Sequence, residues 1–272
     1  MTPTRTRHPL FADEDEARSF VVDAGLGWLG ARLRYFETAD STNSRARRLA
    51  TLDWPTGTVV LAEHQTAGRG RLGRRWVCPA RAGLLVSALV PSVCDERGGA
   101  LSPWLTAAGA LAMVAAIERV CARNAKIEWP NDIVVEHADA PHDLRKVGGV
   151  LVEPTTSPDV AVLGVGLNVD VTPDEFPAEL RAVASSLVGA FDAPVDRRAL
   201  FGAFLRELES RLDRPEELGD ELRRRTATVG RQLETDSLRG TAVAIDDKMR
   251  LVIESPDGTR DTLPFRTMGE SA

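Results

Sequence analysis

The sequence predicts an α+β fold: a mixed or antiparallel sheet with helices packed on it, followed by a small C-terminal β-barrel. Three observations predict it. Short apolar, β-branched runs recur at Thr58–Ala62, at 83–90 (GLLVSALV), and in the segments IEWPNDIVVE, KVGGVLVE and DVAVLGVGLNV. Helical patterns separate groups of these runs instead of alternating with each one, which favours helices on one side of a sheet over a doubly wound arrangement. From about Val229 the chain turns to short β-rich pieces, TAVAID, RLVIES and TRDTLPF, with a Pro-Asp-Gly turn before the last.

Taken in order, residues 13–30 read as a short helix with acids in its first turn and Gly25 near its end. Ser41-Thr42-Asn43 precedes SRARRLA as an N-cap precedes a helix, with short polar side chains ahead of the first periodic positions. Residues 103–120 form an apolar helix with Pro103 near its start. In DRRALFGAFLRELESRL, residues Leu200, Phe201, Phe204, Leu205, Leu208 and Leu212 fall on one helical face, a core stripe.

At 272 residues the chain can bury roughly 75% of its unfolded surface and needs no disulfide or metal for stability. Its 43% hydrophobic and 27% charged content is that of a soluble globular protein, and no run is read as a membrane span. The first twenty residues have no apolar core and so are not a secretory signal, which predicts a cytoplasmic protein. Cys78, Cys94 and Cys121 lack C-x-x-C spacing and read as reduced packing residues. His137 and His142 lie in a polar insert read as a solvated loop, not a metal site. The net charge of −6 argues against broad nucleic-acid binding. There are 31 arginines and only three lysines, Lys126, Lys146 and Lys248, so each lysine draws attention as a compact, point-like cation.

The densest chemical signal is the stretch Gly68 to Trp76, which holds four arginines and three glycines directly behind the run Thr58–Ala62. Glycines permit close backbone approach, and guanidinium forks match phosphate or carboxylate oxygens. The stretch reads as a cationic lid for a small anion that orders when its ligand binds; an ordinary solvated basic loop is the alternative. Gly68-x-Gly70-x-x-Gly73 matches the dinucleotide fingerprint only formally. Nine residues, Pro79 among them, separate Gly73 from the next apolar run, too few for a crossover helix. The Gly-Lys-Ser/Thr ending of a phosphate-binding loop is also absent.

Gly-Arg-Gly-Arg-x-Gly-Arg before a tryptophan resembles the adenylate-binding loop of biotin protein ligases. Four further segments agree in order and spacing: Asp40-Ser41-Thr42-Asn43, Lys126 to Asp132 (KIEWPND), Lys146 to Glu153 (KVGGVLVE) and Gly164 to Val169 (GVGLNV). The resemblance covers roughly residues 32–215. It implies a class II synthetase-like ligase domain and an SH3-like C-terminal barrel, hence an N-terminal extension at 1–31, a catalytic domain at 32–225 and a β domain at 226–272. It implies an enzyme that joins biotin to AMP from ATP, with Mg2+, and passes biotin to a lysine of a biotin carboxyl carrier protein. Lys146, Arg69 and Arg71 are then the catalytic residues. Ser41, Thr42, Asn43, Gln65, Arg69, Gly70, Arg71, Lys146 and Gly148 are expected around biotin. Gly68, Arg71, Arg74, Trp76, Asn131, Asp132 and Asn168 are expected around the nucleotide, with Asp132 a candidate Mg2+ ligand.

Only about 31 residues precede the resembling part, and nothing in them resembles the winged helix of ligases that double as repressors, so no nucleic-acid or membrane partner is expected. Homodimerisation stays open. Lipoate ligases and octanoyltransferases share the fold, but the Arg-Arg-x-x-Gly-Gly-Gly loop they resemble is absent. An RNA-binding module would want aromatic platforms beside the basic loop. A biotin-binding protein without catalysis is the third alternative; Lys146, Arg69 and Arg71 speak against it.

Overall fold

A computed structural model of the chain describes residues 6–92, 103–137, 140–234 and 238–265, without the side chains of 140–142. Seven strands form one sheet: β1 (Arg32–Phe36), β2 (Thr58–Ala62), β3 (Gly83–Pro91), β4 (Ala125–Glu128), β5 (Asp132–His137), β6 (Ala140–Pro154) and β7 (Val160–Asn168). Their order is β1-β2-β3-β7-β6-β5-β4. Only β1 and β2 pair in parallel, Arg32 opposite Thr58, and every other pair is antiparallel. This is the mixed sheet that the sequence predicts.

Among the described residues six α-helices flank it: α1 (Glu14–Asp23), α2 (Thr42–Ala50), α3 (Pro103–Cys121), α4 (Leu187–Phe191), α5 (Arg197–Leu212) and α6 (Leu218–Arg225). Val59, Leu61, Leu84 and Val86 point into the main core beneath α3 and α5, whereas Val60, Leu89 and Val162 point the other way and close around Ala46 of α2. The expectation of helices on one side is therefore corrected. A central strand buried on both faces reads as a continuous apolar run, and both faces of β2 and β3 demand cover. The arginine-rich α2 buries too few residues for its helical stripe to announce that role. The face it covers also carries the candidate site.

The apolar α3 is long and apolar enough to cross a membrane by length and composition, which the sequence reading missed. Twelve of its residues are buried, ten of them in the main core, so it is a core helix. The helix expected over 13–30 ends at Asp23, and Gly25 turns the chain with a φ of +64°. The segment IEWPNDIVVE is two strands, β4 and β5, joined through a cis Trp129–Pro130 bond. Trp129 is buried, and its indole nitrogen donates to the Met249 carbonyl at 3.0 Å.

Beyond α6, strands β8 (Gln232–Glu234), β9 (Arg239–Ile245), β10 (Leu251–Glu254) and β11 (Arg260–Leu263) make a four-stranded antiparallel sheet in the order β11-β10-β9-β8. Among the described residues this is an open sheet, so the expected barrel is seen only as far as its strands. Ala242, Ile245, Met249, Leu251, Ile253 and Leu263 join the main core. The atypical ending RTMGESA, together with Cys94 and the His142 side chain, lies outside the described residues.

The N-terminal segment is packed in as well: Leu10 and Phe11 are buried, and Arg7 pairs with Glu175 at 2.6 Å. Arg7's hydrogen bond, opposed in part by burial, holds the Glu175 carboxyl down at about 2. A depressed carboxylate stabilises the fold fully above its unfolded pKa of about 4.3 and stops doing so as the pH falls through the folded value. Glu175→Gln is therefore expected to lower the melting temperature above pH ~4.5 and to lose less stability than the parent between there and pH ~2. Parallel melting curves for the two proteins across that window would contradict this.

Candidate active site

The carboxyl-terminal end of β7, the amino-terminal end of α2, the loop after β2, the β4–β5 turn and the middle of β6 surround one cavity of about 720 Å3. That volume is typical of small-molecule sites. Its wall contains Ser41, Thr42, Asn43, Gln65, Arg69, Gly70, Arg71, Arg74, Trp76, Asn131, Asp132, Lys146 and Asn168. Residues far apart in sequence, all but Gln65 in one of the motifs described above, thus meet in one place. Gly68 and Gly148 are not on the wall. A Cβ on Gly68 would approach the Trp76 carbonyl at 2.5 Å, and one on Gly148 the Gly166 carbonyl at 2.9 Å, so both serve backbone packing. Gly149 lines the cavity in place of Gly148.

At the head of α2, Ser41 is the N-cap residue, but its side chain makes no capping hydrogen bond. It is buried at the cavity wall, so the plain capping role expected of such a residue is not its use. The Thr42 backbone N–H and hydroxyl both donate to Gln65 Oε1, at 2.7 and 3.1 Å. Asn43 turns inward: Nδ2 donates to the Leu151 carbonyl and to Glu153 Oε2, while Oδ1 accepts from the Ser87 hydroxyl at 2.6 Å. Just ahead of them, Asp40 is held below the usual carboxylate range. Burial opposes this, but the Ser41 N–H and the Arg45 and Arg48 guanidiniums outweigh it.

The arginine-glycine loop is a closed excursion. Trp76 N–H donates to the Gly68 carbonyl and Gly70 N–H to the Arg74 carbonyl, at 3.0 and 2.7 Å. Leu72 and Gly73 take positive φ at its tip, +58° and +72°, where glycine carries no strain and leucine does. Arg69 reaches Ser44 and both oxygens of Glu153, at 3.0 and 2.8 Å for the latter. Arg71 donates to Asn131 Oδ1 at 2.9 Å and to the Phe265 carbonyl at 2.8 Å, tying the loop to the C-terminal sheet. The side chains of Arg74 and Arg75 are exposed. Trp76 lies against Gly166 of β7, where a Cβ would come within 2.6 Å of the indole.

Across the cavity, Lys146 on β6 places Nζ 2.7 Å from Asp132 Oδ1 on β5. Its backbone is fixed on both sides, donating to Val183 and accepting from Ser185. Five cationic side chains (Arg69, Arg71, Arg74, Arg75, Lys146) face three acids (Glu128, Asp132, Glu234) on the lining, so the cavity is net cationic. Among the described residues that line the cavity, two buried polar atoms have no hydrogen-bond partner within the protein: Trp76 Nε1 and Asn168 Oδ1. Buried polar atoms are nearly always paired, so a donor and an acceptor left over on one cavity wall fit a ligand that pairs them. Among the described residues no group of three acidic, His or Cys side chains could cage a metal. Asp132 alone suits a cation such as Mg2+, which binds through one or two carboxylates plus substrate phosphates.

The profile of the biotin/lipoate A/B protein ligase family matches residues 35–170. A biotin-[acetyl-CoA-carboxylase] ligase of Mycobacterium tuberculosis is 35% identical over 92% of both chains. The chain belongs to the biotin/lipoate A/B protein ligase family. A bifunctional ligase/repressor, BirA of Bacillus subtilis, is 31% identical over 85% of this chain and 72% of its own. A biotin protein ligase from Aquifex aeolicus, solved with biotin and ATP, superposes with a TM-score of 0.71 at 24% identity, covering 87% of this chain and 97% of that one; the likeness is one of fold.

Four contributors escaped the sequence reading. Glu153 stands inside the KVGGVLVE motif but is given no role there. Gly164 and Gly166 admit Asn43 and Trp76 respectively; a Cβ on Gly164 would sit 1.9 Å from Asn43 Oδ1. The segment bearing Leu180, Val183 and Ala184 closes the wall beside Lys146, and only its tertiary contact reveals it.

Proposed function

We propose that this chain is an ATP-dependent ligase that activates biotin as biotinyl-5'-AMP and transfers it to a lysine of a biotin carboxyl carrier protein. The observation carrying this reading is the single cavity that brings Lys146, Arg69 and Arg71 together with the head of α2. A ring system without charge suits the Ser41–Thr42–Gln65 end. A carboxylate and a phosphate suit the cationic end, where two anions that repel in water must be brought together.

In the first step a biotin carboxylate oxygen attacks the α-phosphorus of ATP, the bond to the β-phosphate bridge oxygen breaks, and pyrophosphate leaves. Lys146 and Arg71 supply positive charge at the α-phosphate, where negative charge spreads in the transition state. Arg69 neutralises the carboxylate side. Trp76 and Asn168 flank the base, the free Asn168 Oδ1 suiting an exocyclic amine. Asp132 is the residue that would share a Mg2+ ion with the phosphates, and that ion would neutralise charge on the departing pyrophosphate. In the second step the carrier lysine's neutral amine attacks the acyl carbon, AMP leaves, and the proton lost by nitrogen passes to phosphate or solvent. No enzyme nucleophile is required; proximity and a closed loop that excludes water suffice.

Residues 226–272 then form an SH3-like unit buttressing the loop through Phe265, after a catalytic domain at 32–225 and an extension at 1–31. The acidic net charge supports work without nucleic acid. Pyrophosphate release by the purified protein tests the reading: dependence on biotin is expected, with little response to lipoate or octanoate. Release driven by lipoate or octanoate and not by biotin would overturn the substrate.

A further inference from the structure

Glu153 is engaged by more of the site than any other acid near the loop. Its Oε2 accepts from Asn43 Nδ2 at 2.7 Å, and both its oxygens accept from Arg69, at 2.8 and 3.0 Å. Arg47 of α2 approaches it at 3.5 Å. The Glu153 side chain is 18% exposed and that of Arg47 51%, so Arg47 is the peripheral member. Arg69 also grips Ser44, and Asn43 is locked from behind by Ser87 and by the close approach of Gly164. A continuous chain of hydrogen bonds therefore runs Ser87–Asn43–Glu153–Arg69–Ser44. It begins in the buried interior of β3, passes the head of α2, crosses to Arg69 at the base of the arginine-glycine loop and returns to α2 at Ser44.

We propose that Glu153 is a positioning residue that clamps Arg69, and with it the base of the loop, against the head of α2. A flexible arginine on a glycine-flanked backbone would sample many rotamers, and fixing it costs entropy that a ligand would otherwise have to supply. Glu153 and Ser44 together take three of the five N–H donors of the Arg69 guanidinium, which leaves two for a ligand. Glu153 thus links the segment expected to hold the head of the substrate to the cation expected to hold its anionic end. The catalytic part rests on the ligase reading above; the clamp itself does not.

The experiment has two arms on the full-length chain. Glu153→Gln keeps the shape and the acceptor for Asn43 but removes the charge that holds Arg69. Because the pair is partly exposed, the expected effect is about three- to tenfold. The first arm is limited trypsin digestion of the ligand-free protein, read by mass as cleavage after Arg69, Arg71, Arg74 and Arg75. Cleavage there is expected to speed up in Glu153→Gln with little change in melting temperature, whereas Arg47→Ala leaves it at the parental rate. The second arm is the release rate of the acyl-adenylate, expected to rise by a similar factor. Parental loop cleavage in Glu153→Gln would overturn the clamp. Faster cleavage with unchanged adenylate release would overturn its catalytic part. A parent that forms no adenylate refutes the ligase reading alone, and the digestion still decides the clamp. Should Glu153→Gln not fold, Glu153→Asp, which retracts the carboxylate by one methylene, serves in both arms with the same criteria.

Discussion

Lys146→Ala is expected to cut biotin-dependent adenylate formation by about 10²–10³-fold, the scale seen when one preorganised transition-state donor is removed. The protein should stay folded. Lys146 is partly exposed, its contact with Asp132 is a surface-type ion pair worth about 1 kcal/mol or less, and the backbone bonds to Val183 and Ser185 do not need the side chain. The asymmetry follows from charge. With the ligand absent, Lys146 neutralises Asp132; in the proposed reaction it would supply an ammonium to the charge that develops where two anions meet. Lys146→Arg should restore little, since a planar fork does not reproduce a compact ammonium held between two strands. Rapid-quench measurement of adenylate formation alongside a thermal melt checks both halves. A loss smaller than about tenfold would show that the charge is supplied elsewhere.

Glu63→Ala is expected to cost about 3–5 kcal/mol of stability, because it leaves a largely buried guanidinium without its counter-ion. Glu63 ends at the carboxyl edge of β2, one residue before the loop region, and its side chain is fully buried. Arg197 at the start of α5 pairs with it at 2.8 Å, the Leu10 N–H donates to it, and the Tyr35 hydroxyl lies 2.6 Å away. Burial, reinforced by that carboxylate, pushes the Tyr35 phenol well above its ordinary value. One carboxylate therefore gathers the N-terminal segment, β1, α5 and the base of the site. Without it, Arg197 keeps only the carbonyls of Gly83 and His8. For a chain of this size the fall in melting temperature should be about 6–20 °C. A shift below about 3 °C would mean that water or a rearranged Arg197 replaces the carboxylate.

Much of the site was legible because its chemistry is concentrated in short, compositionally unusual strings. Lys146 stood out as one of three lysines among 31 arginines, and the loop by its arginines and glycines. Strands buried on both faces, β2, β3 and β7, announced themselves as unbroken apolar runs. The arginine-rich β1 did not, since only Leu33 of its five residues is buried. Neither did Glu63 and Glu153. A lone acid at a strand end looks solvated in sequence, and only the arrival of Arg197 or Arg69 from elsewhere in the chain makes it a buried or clamped partner. The side of the sheet taken by α2 was likewise hidden, since its contact with the sheet rests on Ala46 and few others.

The most direct measurement is the intact mass of a biotin carboxyl carrier domain after incubation with the purified protein, ATP, Mg2+ and biotin, beside reactions with lipoate, octanoate and the Lys146→Ala variant. A mass gain equal to one biotinyl group, lost in the variant and absent with the other acids, is the expected result. A lipoyl or octanoyl gain in place of it, or a biotinyl gain that survives Lys146→Ala undiminished, would contradict the proposed chemistry.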